Sequence, residues 1–172
     1  MVEFSRHWSM PNKNTFSIKP IKEFVKSYLE VSLVSIDPFA RDCEWFTYSN
    51  DLNPDTKAKY HLDAIDFLKL INEQEIKADL LVFDPPYSVR AVAECYKGIG
   101  RTVTQEDTQS SFYSNIKNEI MKIVKKNGYV LSFGWNSGGI GKTRGFEIIE
   151  IMLVSHGGCH NDTICVAERK VI

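Results

Sequence analysis

The sequence predicts an open α/β sheet, and three patterns predict it. Segments of helical and strand periodicity alternate along the chain, residues Asp79 to Phe83 form a nearly continuous apolar strand, and the chain ends in two strands separated by a short polar connection. An unbroken run such as Leu80-Leu81-Val82-Phe83 suits a parallel strand covered on both faces. Helices alternating with such strands would supply that cover.

Each element follows from its residues. From Pro20 to Leu29, Ile21, Phe24, Val25, Tyr28 and Leu29 recur at helical spacing, with Pro20 acceptable in the first turn. Ser32 to Ile36 reads as a strand stopped by Asp37-Pro38, and Trp45 to Ser49 as a second strand ended by the turn-rich Asn50-Asp51-Leu52-Asn53-Pro54. Tyr60-His61-Leu62 reads as a third, short strand before a helix carrying Ile65, Leu68, Leu70 and Ile71. After the strand at 79–83 and a polar stretch to Gln109, a helix is expected from Ser110 to Lys126, ended by Asn127-Gly128. Strands Tyr129 to Phe133, Phe146 to Val154 and Thr163 to Ala167 follow, the last two as an antiparallel pair.

At 172 residues one domain over 1–172 is expected, with residues 1–14 as a flexible arm. The 43 % hydrophobic and 25 % charged content excludes a disordered chain. No run approaches the roughly 18 apolar residues of a membrane span, so no membrane partner is expected. The N-terminus lacks a signal peptide's apolar stretch, and four scattered cysteines do not form a secreted disulfide framework, so the expected location is cytoplasmic. The formal net charge of −1 is unevenly spread: residues 31–87 carry five Lys/Arg against eleven Asp/Glu, between two mildly basic flanks. Such a centre suits a cationic ligand, and such flanks a polyanion.

In open α/β sheets ligands bind beyond the carboxyl ends of the strands. Asp37, Asp51, Asp63 and Asp84 stand just after the predicted strands, although each could also cap what comes next. Asp84-Pro85-Pro86-Tyr87 adds a rigid turn that lacks two backbone donors. A carboxylate, carbonyl acceptors and an aromatic ring together suit an exocyclic amine on a planar base.

On these residues the chain resembles the class I S-adenosylmethionine-dependent amino methyltransferases, and within them the short phage- and prophage-type N6-adenine DNA methyltransferases. The resemblance covers nearly the whole chain. Asp84-Pro85-Pro86-Tyr87 looks like the catalytic motif, residues 14–21 around Lys19-Pro20 like the N-terminal cofactor segment, and Asp37-Pro38-Phe39-Ala40 like the first cofactor loop. Asn50-Asp51-Leu52-Asn53 corresponds to the acidic motif after the second strand, and Leu62-Asp63-Ala64 to the cluster around the cofactor adenine. The first loop departs from the family: where a Gly-x-Gly usually follows Asp-Pro-Phe, this chain has Ala40-Arg41-Asp42.

The resemblance implies a Rossmann-like seven-stranded mixed sheet with helices on both faces, the cofactor S-adenosyl-L-methionine, and an enzyme of a bacterial or phage-infected host. It implies that Asp51 binds the ribose hydroxyls, Asp63 the cofactor's exocyclic amine, and Asp37 with Lys19-Pro20 the methionine end. Asp84 and the Pro85 carbonyl would accept from adenine N6, with Tyr87 stacked on a flipped or single-stranded base. A separate target-recognition domain is not expected, so DNA contacts fall to loops carrying Arg90, Lys97, Arg101, Trp135, Lys142 and Arg144, and to the arm Arg6-His7-Trp8. Dimerisation or a partner subunit would compensate. Two other readings stay open: an RNA base amino methyltransferase, and an inactive methyltransferase-like subunit.

Three further patterns imitate sites. Gly138-Gly139-Ile140-Gly141-Lys142-Thr143 ends like a phosphate loop but lacks the required first glycine, Asn136 standing there. His156, Cys159 and His160 lack an evident fourth metal ligand and read as a hairpin tip. Cys95 has no base paired with it in sequence.

Overall fold

A computed structural model describes residues 1–86, 100 and 110–172. Its sheet has seven strands: β1 (Glu3–Trp8), β2 (Ser35–Asp37), β3 (Tyr48–Ser49), β4 (Ala78–Phe83), β5 (Val124–Gly134), β6 (Phe146–Ser155) and β7 (Thr163–Lys170). The spatial order is β1-β6-β7-β5-β4-β2-β3. All neighbours are parallel except those of β7, which runs antiparallel to both β5 and β6. This is the expected seven-stranded mixed sheet with its C-terminal hairpin. Six strands therefore point their carboxyl ends to one edge.

Helices α1 (Lys19–Leu29), α2 (Ala64–Glu73) and α3 (Ser110–Ile123) cover the faces. Period-two alternation in β4 divides the core. Leu81 and Phe83 pack with Phe67, Leu68 and Ile71 of α2 and Ile116, Ile120 and Ile123 of α3. Leu80 and Val82 pack on the other face with Ile21, Phe24 and Val25 of α1. Burial of both faces explains why β4 reads as an uninterrupted apolar run.

The strand count is as expected, but its membership differs. Glu3–Trp8, within the expected arm, adds a parallel edge strand along β6. Tyr60-His61-Leu62 makes only an isolated bridge from Tyr60 to Asn50. The Asn50 side chain takes the Leu62 N–H at 2.9 Å and so turns the chain away before a ladder can form. The second predicted strand shrinks from 45–49 to Tyr48–Ser49, because Thr47 and Ser35 bond through side-chain hydroxyls where a backbone ladder would run.

The third helix ends at Ile123 rather than Lys126. Val124 already pairs with Ala78, and Lys77 and Lys170 donate to the carbonyls of Met121 and Lys122 in the last turn and of Val124 just beyond it. Asn127 does take a left-handed φ of 65°, but inside a β-bulge. A Cβ on Gly128 would lie 2.9 Å from the Val124 side chain and 3.1 Å from the Ala78 carbonyl, so this bulge needs glycine.

Candidate active site

At the carboxyl edge of β2, β3 and β4, a cleft of about 980 Å³ opens. Its walls gather segments that are distant in sequence. Pro38-Phe39-Ala40-Arg41 comes from the end of β2, Asn50-Asp51-Leu52-Asn53 from β3, Leu62-Asp63-Ala64 from the start of α2, and Asp84-Pro85-Pro86 from β4. These bring together nearly all the residues of the expected cofactor and catalytic motifs. Lys19 and Pro20 lie in the first turn of α1 and do not line the cleft; Lys13 to Ser17 and Lys22 do so instead. Tyr87, Arg90, Lys97 and Arg101 lie outside the described residues.

Asn50 holds the loops in place. It is 1 % exposed, and its Nδ2 donates to the Pro38 carbonyl at 3.1 Å and the Leu62 carbonyl at 3.0 Å. The main chain adds Asn50 N–H to the Asp37 carbonyl and Ala40 N–H to the Asn50 carbonyl, both at 2.8 Å. The ends of β2 and β3 and the entry to α2 are thus tied to one amide, whose hydrogen-bonding groups face protein. Asn50 shapes the wall with its donors already used.

Asp51 keeps acceptor capacity. Its Oδ1 accepts from Asn53 N–H at 2.9 Å and its Oδ2 from Arg41 N–H at 3.1 Å, leaving each oxygen room for a further donor. Burial pushes its carboxyl up, against the pull of those two N–H groups and of the Arg41 and His61 charges. Asp63 caps α2, its Oδ1 accepting from Ile65 N–H at 3.0 Å, so the capping and cleft-lining roles coincide. Asp37 is fully buried behind the wall. Its Oδ1 accepts from Phe39 N–H at 2.9 Å, while Oδ2 has no partner among the described residues. Burial holds this carboxyl well above the usual carboxylate range, and the Asp84 and Asp51 charges add to the rise.

The glycine-free loop has its own solution. Arg41 adopts φ 50°, the left-handed conformation that favours glycine, and its guanidinium donates to the Lys13 carbonyl at 2.8 Å across the cleft mouth.

Beyond Pro85 and Pro86 lies a second cavity of about 310 Å³, lined also by Phe83, Tyr113, Lys117, Ser132 and Trp135. Pro85 and Pro86 form part of both cavity walls. The Tyr113 hydroxyl donates to the Pro86 carbonyl at 2.6 Å and pins the Pro-Pro segment to α3. Sequence reading missed Tyr113, Lys117 and Ser132; only the polar breaks they make in otherwise apolar faces hinted at them.

The remaining expected residues fall as follows. Trp135 is half exposed on the second cavity, and Lys142 is exposed in a 3-10 turn. Arg144 donates to Asn118 at 2.8 Å, Ser114 at 2.8 Å and the Ile140 carbonyl at 3.2 Å, bracing α3 against the loop after β5. Arg6 donates to Ser155 at 3.3 Å in the edge strand, where Trp8 is exposed.

The imitation phosphate loop is occupied by the protein's own carboxylate. Buried Glu168 accepts from Ile140 N–H at 2.6 Å and Gly141 N–H at 2.9 Å. His156 is buried, with Nδ1 at 2.8 Å from the Ser9 carbonyl and Nε2 at 2.8 Å from the Thr163 hydroxyl. No metal-binding cluster of His, Cys, Asp or Glu occurs among the described residues.

Neither a family profile nor a curated protein sequence matches the chain. Solved structures do. SMU.776 complexed with SAH superposes with a TM-score of 0.59 at 10 % identity, over 86 % of this chain and 49 % of that one. TrmN from Thermus thermophilus gives 0.57 at 11 %, over 90 % and 49 %. The N-methyltransferase NodS from Bradyrhizobium japonicum WM9 gives 0.57 at 9 %, over 94 % and 100 %. The chain spans about half the length of SMU.776 and TrmN. At these identities the likeness shows the fold alone: a Rossmann-like sheet shared with these three structures.

Proposed function

We propose that the chain is an S-adenosylmethionine-dependent methyltransferase that acts on the exocyclic N6 amine of adenine in DNA. The observation that carries this reading is the position of Pro85-Pro86 between a large acid-lined cleft and a smaller aromatic-lined cavity. A donor and an acceptor molecule can thereby meet at one short segment. Both volumes fall within the range of roughly 300–1,000 Å³ typical of small-molecule sites.

The cleft's acceptor groups fit the cofactor. Asp51 retains an acceptor site on each oxygen, as a ribose diol requires. Asp63 stands on the same wall for an exocyclic amine. Asp51 and Asp84 on the cleft wall give this edge a negative field suited to a sulfonium cation, which would in turn favour ionisation of the buried Asp37. Bound there, S-adenosylmethionine supplies an electrophilic methyl group.

The chain's own contribution is positioning and electrostatics. Asp84 and the Pro85 carbonyl accept from the target amine, orient its lone pair and favour its loss of a proton. Tyr113 keeps the Pro-Pro segment in register through the Pro86 carbonyl. Tyr87 follows directly in sequence and completes the motif as the stacking ring.

The first test is calorimetric titration of the purified chain with S-adenosylmethionine, followed by methyl transfer to DNA and to RNA of the same sequence. Micromolar cofactor affinity and N6-methyldeoxyadenosine in digested DNA are expected. N6-methyladenosine in RNA alone would replace DNA by RNA as the acceptor. No cofactor binding up to millimolar concentration would overturn the reading in favour of an inactive subunit.

A further inference from the structure

We propose that Lys117 and Ser132 are the base-reading residues of the smaller cavity, donating hydrogen bonds to ring acceptors of the target base while Asp84 and Pro85 hold its amine. This deepens the proposed function and rests on it.

Ser132 lies on β5 opposite Phe83, the residue before Asp84. It is 7 % exposed, lines the cavity, and its hydroxyl has no hydrogen-bond partner among the described residues. Buried hydroxyls are normally satisfied, and one left open on a cavity wall is what an arriving polar ligand would complete. Lys117 projects from α3 to the same wall. Its ammonium stands 5.8 Å from the centre of the Phe83 ring and forms no ion pair among the described residues.

The cavity therefore sets two donors, Lys117 Nζ and Ser132 Oγ, among aromatic walls from Phe83, Tyr113 and Trp135. A carbocycle would leave the ammonium desolvated and unpaired, and a sugar, though its hydroxyls could accept from it, offers the aromatic groups no flat face. A heterocyclic base offers flat faces to the aromatic groups and ring nitrogens to the donors. Recognition of the amine by acceptors on one side and of ring nitrogens by donors on the other would distinguish an amino-purine from a base carrying a carbonyl at the same place.

The test uses the full chain and single-stranded oligonucleotides bearing one adenine, one 1-deazaadenine or one 7-deazaadenine at a fixed position. Wild-type protein is expected to lose about tenfold or more in kcat/KM, mainly through KM, with at least one deaza analogue, as for a hydrogen bond to a charged donor. Lys117→Met is expected to show the same loss on adenine and no further loss on that analogue. Ser132→Ala should weaken adenine binding while leaving thermal stability unchanged or higher, since it removes an unpartnered buried hydroxyl. Cofactor affinity should be unchanged in both, because neither residue lines the larger cleft.

If both variants discriminate adenine from its deaza analogues as the wild type does, the inference is overturned and the proposed activity stands. Equal weakening of Lys117→Met on every oligonucleotide would mark a phosphate contact and also overturn it. If the wild type binds S-adenosylmethionine but methylates none of the adenine substrates, the functional reading fails and takes the inference with it.

Discussion

Arg41 presents its backbone N–H to Asp51 Oδ2 at 3.1 Å while held at φ 50°. The carboxylate expected to bind the ribose is therefore oriented by a residue in a conformation that costs a non-glycine side chain roughly 1–2 kcal/mol.

Arg41→Gly should accordingly preserve cofactor binding and change stability by less than about 1 kcal/mol. Relief of left-handed strain is offset by greater chain entropy and by loss of the bond to the Lys13 carbonyl. Arg41→Val should destabilise by more than about 1 kcal/mol, since a β-branched residue tolerates positive φ poorly. Urea denaturation of the two variants reads the difference, and equal stability would refute the strain argument.

Asn50→Ala should cost about 2–4 kcal/mol, because it strips partners from the Pro38 and Leu62 carbonyls and the Leu62 N–H at a buried site. Asn50→Asp should be worse at neutral pH and recover on acidification, as the new carboxylate faces two carbonyl oxygens and prefers its protonated form. Denaturant midpoints at pH 5 and pH 7.5 test the sign.

Asp51→Ala should weaken S-adenosylmethionine binding by roughly ten- to a hundredfold, the worth of charge-assisted hydrogen bonds. Binding to the wild type should also release protons. Burial raises the Asp51 and Asp37 carboxyls, and a bound sulfonium pulls both back down. Calorimetry in buffers of different ionisation enthalpy measures that release; proton uptake would contradict the assigned charge balance.

Asp79 makes a stability switch of opposite sign. Burial pushes its carboxyl up, but Lys125 at 2.7 Å and the Val34 and Leu33 N–H groups outweigh it and hold the carboxyl below its ordinary value. Its contribution is thus present above the unfolded carboxylate pKa and lost as pH falls through the lower folded value. Asp79→Asn should lower stability at pH 7 by about 1–3 kcal/mol and narrow the gap to wild type below about pH 4. A constant gap across that range would exclude the ionic role.

The helices were legible wherever one face alone is buried. Ile21, Phe24 and Val25 in α1 and Ile116, Ile120 and Ile123 in α3 repeat at the helical period because each helix covers one side of the sheet. The short strands were not so legible. Tyr48–Ser49 and the Asn50–Tyr60 bridge end where side chains of Thr47 and Asn50 take over the bonding, a choice made across loops. Edge strand β1 escaped for another reason. Among its six residues five are exposed, so burial imposes no readable alternation.

The sequence by itself determined the alternation of strand and helix and the placement of acidic residues after strands, because periodicity and turn chemistry are local. The same order of motifs carried the resemblance to amino methyltransferases. Tertiary structure decided which of these residues share a wall. It moved Asp37 behind the cleft, used Asn50 as a structural tie, and brought Ser132 and Lys117 to the far side of Pro85-Pro86. Those roles depend on contacts between residues far apart in the chain, and the hydrogen bonds that each polar group makes there determine whether it supports the fold or remains open to a ligand.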